Sequence, residues 1–307
     1  MNADFFGYPD VGRYGLAHSL VAWGRCVVWC HETGAKQIAP IWFRPRIGPY
    51  FRGERDKREY FRLFRHDGIA GVHRLKLLAT AKKLELPANS RPDAIRRGEV
   101  VVFRNSYGAN LQTHFGALLG YQSLLGKRLH AMTREKYRPS ISLDKHIAIH
   151  VRLGDFIRDQ SVSAIKQGSG NMRLPIDWYV EMLTGLRAKL GVQYPAIVYS
   201  DGSDEELRSL LALPDVIRQP RVQSITDMLS IAQAEVLISS ASGFSIWAAY
   251  LGEVPRICFP GQRVVRTRLV DAIDTEPECE YSHDLSGDFV SLVRHRLEDT
   301  PSSFSPA

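Results

Sequence analysis

Short apolar runs alternate with longer amphipathic stretches through the second half of the chain. Ile147-Ala-Ile-His-Val151, Ala196-Ile-Val-Tyr-Ser200 and Val236-Leu-Ile-Ser239 are apolar almost without interruption, as strands covered on both faces are. Val216–Arg218 and Glu253–Phe259 are further strand candidates. Between them, Pro175–Leu190, Asp204–Leu213, Asp227–Ala234, Phe244–Leu251 and Leu285–Leu297 read as helices, and Asp159–Asn171 as a Gly/Ser/Gln-rich loop. This alternation predicts an α/β fold with a parallel sheet and helices on both faces.

The first half shows helices and fewer clear strands. Gly15–Thr33 predicts a long helix stopped by Gly34. Val72–Leu84 predicts another, anchored by Leu75, Leu77, Leu78 and Leu84, and Leu111–Leu125 and Leu129–Tyr137 two more. Gln37–Ile41 and Val100–Phe103 read as strands. A polar break at Arg138-Pro139-Ser140 marks a boundary between domains 1–140 and 141–307, and 307 residues suffice for two cores.

Polar chemistry gathers at three predicted strand ends: His150–Asp155, Ser200-Asp201 and Ser239–Ser245. On a parallel sheet these ends converge on one edge, where open α/β sheets bind ligands. Arg152 carries a permanently charged fork suited to phosphate oxygens, and Gly154 allows a close backbone approach. Ser242-Gly243-Phe244-Ser245 opens a helix, whose N-terminal N–H groups bind anions. Ser242 also reads as a plain N-cap, Asp227 as a helix-start acid or a guanine acceptor, and Asp201 as a turn former or a ribose or base contact.

Composition narrows the partners. The net charge of +7 favours anionic ones: a nucleotide, a phosphorylated or lipid-linked substrate, an acidic glycan or an anionic membrane surface. Arg44–Arg65 holds eight Lys/Arg against three acids, interleaved with Tyr50, Phe51, Tyr60, Phe61 and Phe64. It reads as a solvated face, as an acceptor- or membrane-facing surface, or as an RNA-stacking platform. No RNA-binding motif accompanies it, so nucleic acid is not the expected partner. Cys26, Cys30, Cys258 and Cys279 lack zinc-site spacing and read as small buried residues. The chain has no Walker-type phosphate loop, Gly-x-Gly-x-x-Gly or Asp-x-Asp, so arginine and a helix end are expected to replace a divalent ion. No signal peptide or membrane span is expected, and a cytoplasmic location follows, peripheral to the inner face of the membrane if the basic surface meets lipid.

His150-Val-Arg-Leu-Gly-Asp155 resembles the His-x-Arg-x-Gly-Asp motif of the α-1,2-fucosyltransferases and their clan. Leu174-Pro-Ile-Asp-Trp-Tyr179, Tyr199-Ser-Asp201, Asp227 through Gly252 with Ile238–Trp247, and Gly12-Arg-Tyr-Gly15 are similar to further family segments in order and spacing. The resemblance implies a GT-B architecture, two Rossmann-like domains facing a cleft, with an acceptor-side first domain and a second that binds GDP-fucose. It implies inverting, metal-independent transfer of L-fucose to a glycan hydroxyl, α-1,2-linked, without any cofactor. Arg152 would hold the β-phosphate, and His150 and Asp227 the guanosine. Ser242, Gly243, Phe244 and Ser245 would line the phosphate side; Ser200, Asp201 and Gly15 complete the donor contacts. Asp155 is the first candidate for the base, ahead of Asp159 and Asp201. Leu16 and Ala241 stand where the family has asparagine, and Gly243 where it has serine. Leu16 keeps two alternatives open: another sugar nucleotide on the same scaffold, or a non-catalytic nucleotide- or glycan-binding module.

Overall fold

The computed structural model describes residues 5–12, 14–43, 51, 60–85, 95–105, 115–139, 145–158, 161–269 and 272–299. The chain divides into two compact units, 1–138 and 139–307.

The first unit contains β1 (Phe6–Asp10), α1 (Leu16–Thr33), β2 (Lys36–Gln37), α2 (Gly71–Thr80), β3 (Lys83–Glu85), β4 (Val100–Arg104) and α3 (Gln122–Met132). Its four strands are all parallel, in the order β2-β1-β4-β3. Helix α1 is apolar on most sides and buried through its middle turns, as a core helix must be. It lies so close to β1 that a β-carbon at Gly7 would come within 2.6 Å of Cys30 Sγ and 2.9 Å of Cys26 Sγ. The i, i+4 cysteine pair is therefore the slim face of α1 turned to the sheet, and both thiols are free and buried.

The second unit contains β5 (Ile147–Val151), α4 (Val162–Lys166), α5 (Ile176–Leu190), β6 (Ala196–Ser200), α6 (Arg208–Leu211), β7 (Val216–Arg218), α7 (Ser224–Ile231), β8 (Val236–Ser239), α8 (Gly243–Gly252), β9 (Arg256–Cys258) and α9 (Gly287–Glu298). Its strands are parallel in the order β7-β6-β5-β8-β9, a doubly wound arrangement that reverses direction between β5 and β8. Every residue of β5 is buried. Ile147, Ile149 and Val151 join a core with Trp178, Met182 and Leu186 of α5 and with Phe289 and Val293 of α9. The two-residue period of a strand then turns Ala148 and His150 to the opposite face.

A fully buried ion pair pins the segment after β9. Arg256 Nε donates to Glu276 Oε1 at 2.6 Å, and Glu276 also accepts from the Thr267 backbone N–H and from the Thr267 hydroxyl, the latter at 2.8 Å. Arg256 Nη2 donates to the carbonyls of Arg263 and Val265, while among the described residues the buried Nη1 meets no acceptor, so the pair is only partly compensated.

Several expected elements differ. The helix over Val72–Leu84 ends at Thr80, and Leu84 sits on β3 at the edge of the sheet. Gly120, at φ +87°, precedes α3, which runs through Leu125 and Leu129 across the break expected between two helices; residues 111–114 lie outside the described residues. The strand over Gln37–Ile41 shrinks to Lys36–Gln37 plus a single bridge from Ile38 to Ile69; Pro40 has no N–H to extend it. β1 escapes the apolar pattern because Gly7 and Pro9 lie within it. Asp159 and most of Arg44–Glu59 lie outside the described residues.

Candidate functional site

The reversal of strand order puts the C-terminal ends of β5 and β8 side by side, with β6 on the other flank of β5. The ladder continues past β8, where the Ser240 N–H donates to the His150 carbonyl at 3.1 Å. Three polar strand ends, far apart in sequence, thus share one edge of the second unit.

The first group is built on β5 and β6. Arg152 Nη1 lies 2.7 Å from Asp201 Oδ2, and Arg152 Nη2 lies 2.7 Å from Asp155 Oδ1. Asp201 also accepts from the Leu153 N–H at 2.8 Å, so its carboxylate fixes both the loop and the guanidinium. A β-carbon at Gly154 would collide with Asp201 Oδ2, which is the close approach expected for that glycine. Asp155 is half exposed, whereas Asp201 is largely buried. The five N–H donors of Arg152 are only partly used by these pairs.

The second group surrounds His150. Its Nδ1 lies 2.5 Å from Ser245 Oγ, 2.9 Å from Ser240 Oγ and 3.5 Å from Ser242 Oγ. Ser240 Oγ in turn lies 3.0 Å from Ser245 Oγ and 3.3 Å from Ser242 Oγ. The imidazole stacks on Phe244 with ring centroids 5.0 Å apart. Burial, then the neighbouring Arg152 charge, push the His150 pKa down to about 3 against the opposing pull of Asp201. His150 is therefore a neutral imidazole at pH 7, a hydrogen-bonding group and not a counter-ion.

Helix α8 begins at Gly243, capped by Ser242 Oγ, which accepts from the Ser245 N–H at 3.3 Å. The first turn holds no acidic residue, so its positive end is uncompensated within the helix, and the early N–H groups have no partner inside it.

Three of the expected contact residues have partners within the unit. The hydroxyl of Ser245, wholly buried, turns to His150 and not outward as a phosphate donor. Asp201 anchors the loop and pairs with Arg152. Ser200 is buried and its Oγ accepts from the Gly202 N–H at 3.0 Å, shaping the turn. Asp227 lies in the first turn of α7; burial, and then the Asp227 charge, raise the Tyr199 pKa, which sets Asp227 near β6. Gly15 belongs to the first unit, where it is the N-cap of α1 after β1. Ser240 joins the His150 cluster without having been singled out as a contact. Its signal is the serine density of Ser239–Ser245, four serines in seven residues.

Among the described residues no group of three or more His, Cys, Asp or Glu could hold a metal ion, and no helix is long and apolar enough to cross a membrane.

No family model and no curated protein matches the chain. Among solved structures, POFUT1 in complex with GDP is similar at 12% identity and a TM-score of 0.42, over 83% of this chain and 97% of that one. POFUT1 in complex with GDP-fucose is similar at 12% identity and a TM-score of 0.40, over 83% of this chain and 96% of that one. These are distant likenesses.

Proposed function

We propose that the protein is an inverting glycosyltransferase of GT-B architecture. It moves L-fucose from GDP-fucose to a hydroxyl of a glycan acceptor, α-1,2-linked, without a metal or other cofactor. One observation carries the reading: Arg152, neutral His150 and the N-terminus of α8 meet where the strand order of the second unit reverses, the place where such sheets hold nucleotides. The His-x-Arg-x-Gly-Asp resemblance supplies the donor.

The chemistry follows from the charges. Glycosyl transfer passes through an oxocarbenium-like state in which negative charge builds on the departing nucleotide. Arg152 faces that charge with donors to spare, and the first-turn amides of α8 that the Ser242 cap leaves over add a fixed dipole. His150, being neutral, contacts the nucleoside as a hydrogen-bonding partner, with Nδ1 satisfied by serines. Asp227 takes the guanine edge. Phosphate arriving at Arg152 competes with the exposed Asp155, so donor binding frees that carboxylate to take the acceptor proton. The first unit serves the acceptor, with Gly15 at its β1–α1 turn. The enzyme works in the cytoplasm, with anionic lipid as a peripheral contact.

The test is turnover of GDP-fucose, GDP-mannose and UDP-sugars with and without EDTA. GDP-fucose is expected to be consumed fastest and to be indifferent to chelation. Preference for another nucleotide sugar, or loss of turnover in EDTA, overturns the reading.

A further inference from the structure

A cleft in the first unit has no part in the reaction described so far. Its volume is about 470 Å³, the size of a small-molecule site. One wall is aromatic. Trp42 and Phe64 have ring centroids 4.6 Å apart, and Phe43 and Phe61 meet edge to face at 5.1 Å. Phe43 is 59% exposed and Phe61 37%, so two large rings stand in water inside a concave surface.

The other wall is cationic. An antiparallel bridge joins Phe64 to Thr133, and beside it the Arg65 N–H bonds to Met132 O and the Arg134 N–H to Leu63 O. Both arginines line the cleft and are exposed, and among the described residues neither has an acidic partner. Among the described residues no Asp or Glu lines the cleft. Two buried donors there also lack acceptors: the indole N–H of Trp42, which is 6% exposed, and Nε of Arg74, whose Nη1 is spent on the Pro40 carbonyl. Unmet buried donors are uncommon and mark a place where a ligand or water supplies the acceptor.

Apart from His66, the polar lining side chains among the described residues are donors only. The missing partner therefore carries acceptor oxygens and negative charge, together with an apolar face for the rings. We propose that this cleft binds an anionic saccharide, its C–H faces on Phe43 and Phe61, a ring oxygen or hydroxyl accepting from Trp42, and its carboxylate or phosphate on Arg65 and Arg134. The choice of a saccharide rests on the transferase reading above; the requirement for an anion rests on the cleft alone. A nucleobase also stacks on aromatics, but its own N–H groups need acceptors, and this lining offers few.

The experiment is isothermal titration of the full chain with a glucuronate-terminated disaccharide, a 6-phosphoglucose-terminated disaccharide, their neutral glucose-terminated counterpart and oligo(U). At least one anionic disaccharide is expected to bind about tenfold tighter than the neutral one, the scale of one lost charged hydrogen bond. The two anionic probes separate carboxylate from phosphate. Arg65→Gln with Arg134→Gln, both at the surface, should abolish the preference, and Phe43→Ala with Phe61→Ala should weaken all three sugars. Equal affinity for neutral and anionic sugars, no saccharide binding, a preference that survives the arginine changes, or salt-steep oligo(U) binding in place of sugar binding each overturns the proposal. GDP-fucose turnover, measured alongside on the unsubstituted chain, reports separately on the donor reading.

Discussion

Asp201 holds Arg152 from the neighbouring strand, Oδ2 to Nη1 at 2.7 Å, and so sets the direction of the guanidinium before any ligand arrives. Asp155 grips the other side of the same fork from an exposed position. The two carboxylates are expected to act oppositely on the donor. Asp201→Asn removes the pin and should weaken GDP binding by about tenfold through lost preorganisation. Asp155→Asn removes a competitor for the phosphate and should tighten GDP binding while turnover falls. Calorimetry with GDP and a turnover assay on both variants separate the two effects; equal weakening by both would refute the division.

Arg152→Ala should lower turnover by about 10² or more, the cost of removing one preorganised group that faces developing charge. Arg152→Lys keeps the charge and loses the fork that now spans two carboxylates. It is expected to recover only part of the rate. Steady-state kinetics with GDP-fucose measure both, and full activity in the lysine variant would exclude a bidentate role.

Acid should destabilise the second unit through His150. The imidazole titrates at about 3 when folded, against an ordinary 6.5, so the unfolded chain takes up the proton first. The stability is fully present above pH 6.5 and is lost as pH falls from there toward 3. At pH 5 the loss amounts to about 2 kcal/mol for this group alone. Burial lowers the His18 and His130 pKa values as well, so the informative quantity is the difference in pH slope between the unaltered chain and His150→Gln. Urea midpoints at pH 7 and pH 5 measure it, and identical slopes would mean that His150 is not buried neutral.

Much of the second unit was legible because its strands are uninterrupted apolar runs with polar residues immediately after them. That pattern put His150, Arg152, Asp201 and Ser242 at strand ends, which is where they lie. What each carboxylate does was not legible. An aspartate after a strand looks the same whether it shapes its own turn or bonds an amide 48 residues earlier, as Asp201 does at Leu153. Ser245 likewise reads as a surface hydroxyl at a helix start, and only the two-residue parity of β5 reveals that His150 is turned to meet it. In the first unit β2 and β3 are only two and three residues long, and β1 contains a glycine and a proline. Its central place in the sheet comes from pairing with β2 and β4, which no local pattern carries.

The buried pair between Arg256 and Glu276 yields a stability prediction remote from the site. Glu276→Gln keeps the shape and removes the charge, leaving a wholly buried guanidinium opposite a neutral amide. A loss of about 3–5 kcal/mol is expected, with no change in GDP affinity once the fold is accounted for. Denaturant unfolding and GDP calorimetry on the same variant check both halves.

The serines around His150 have a consequence for how the ring can address a partner. A hydroxyl donates or accepts simply by rotating its hydrogen, and three of them surround Nδ1. The imidazole can therefore carry its one proton on either nitrogen with no heavy atom displaced. The face it offers through Nε2 is then a donor to one ligand and an acceptor to another, chosen by the ligand through a rearrangement of hydrogens alone.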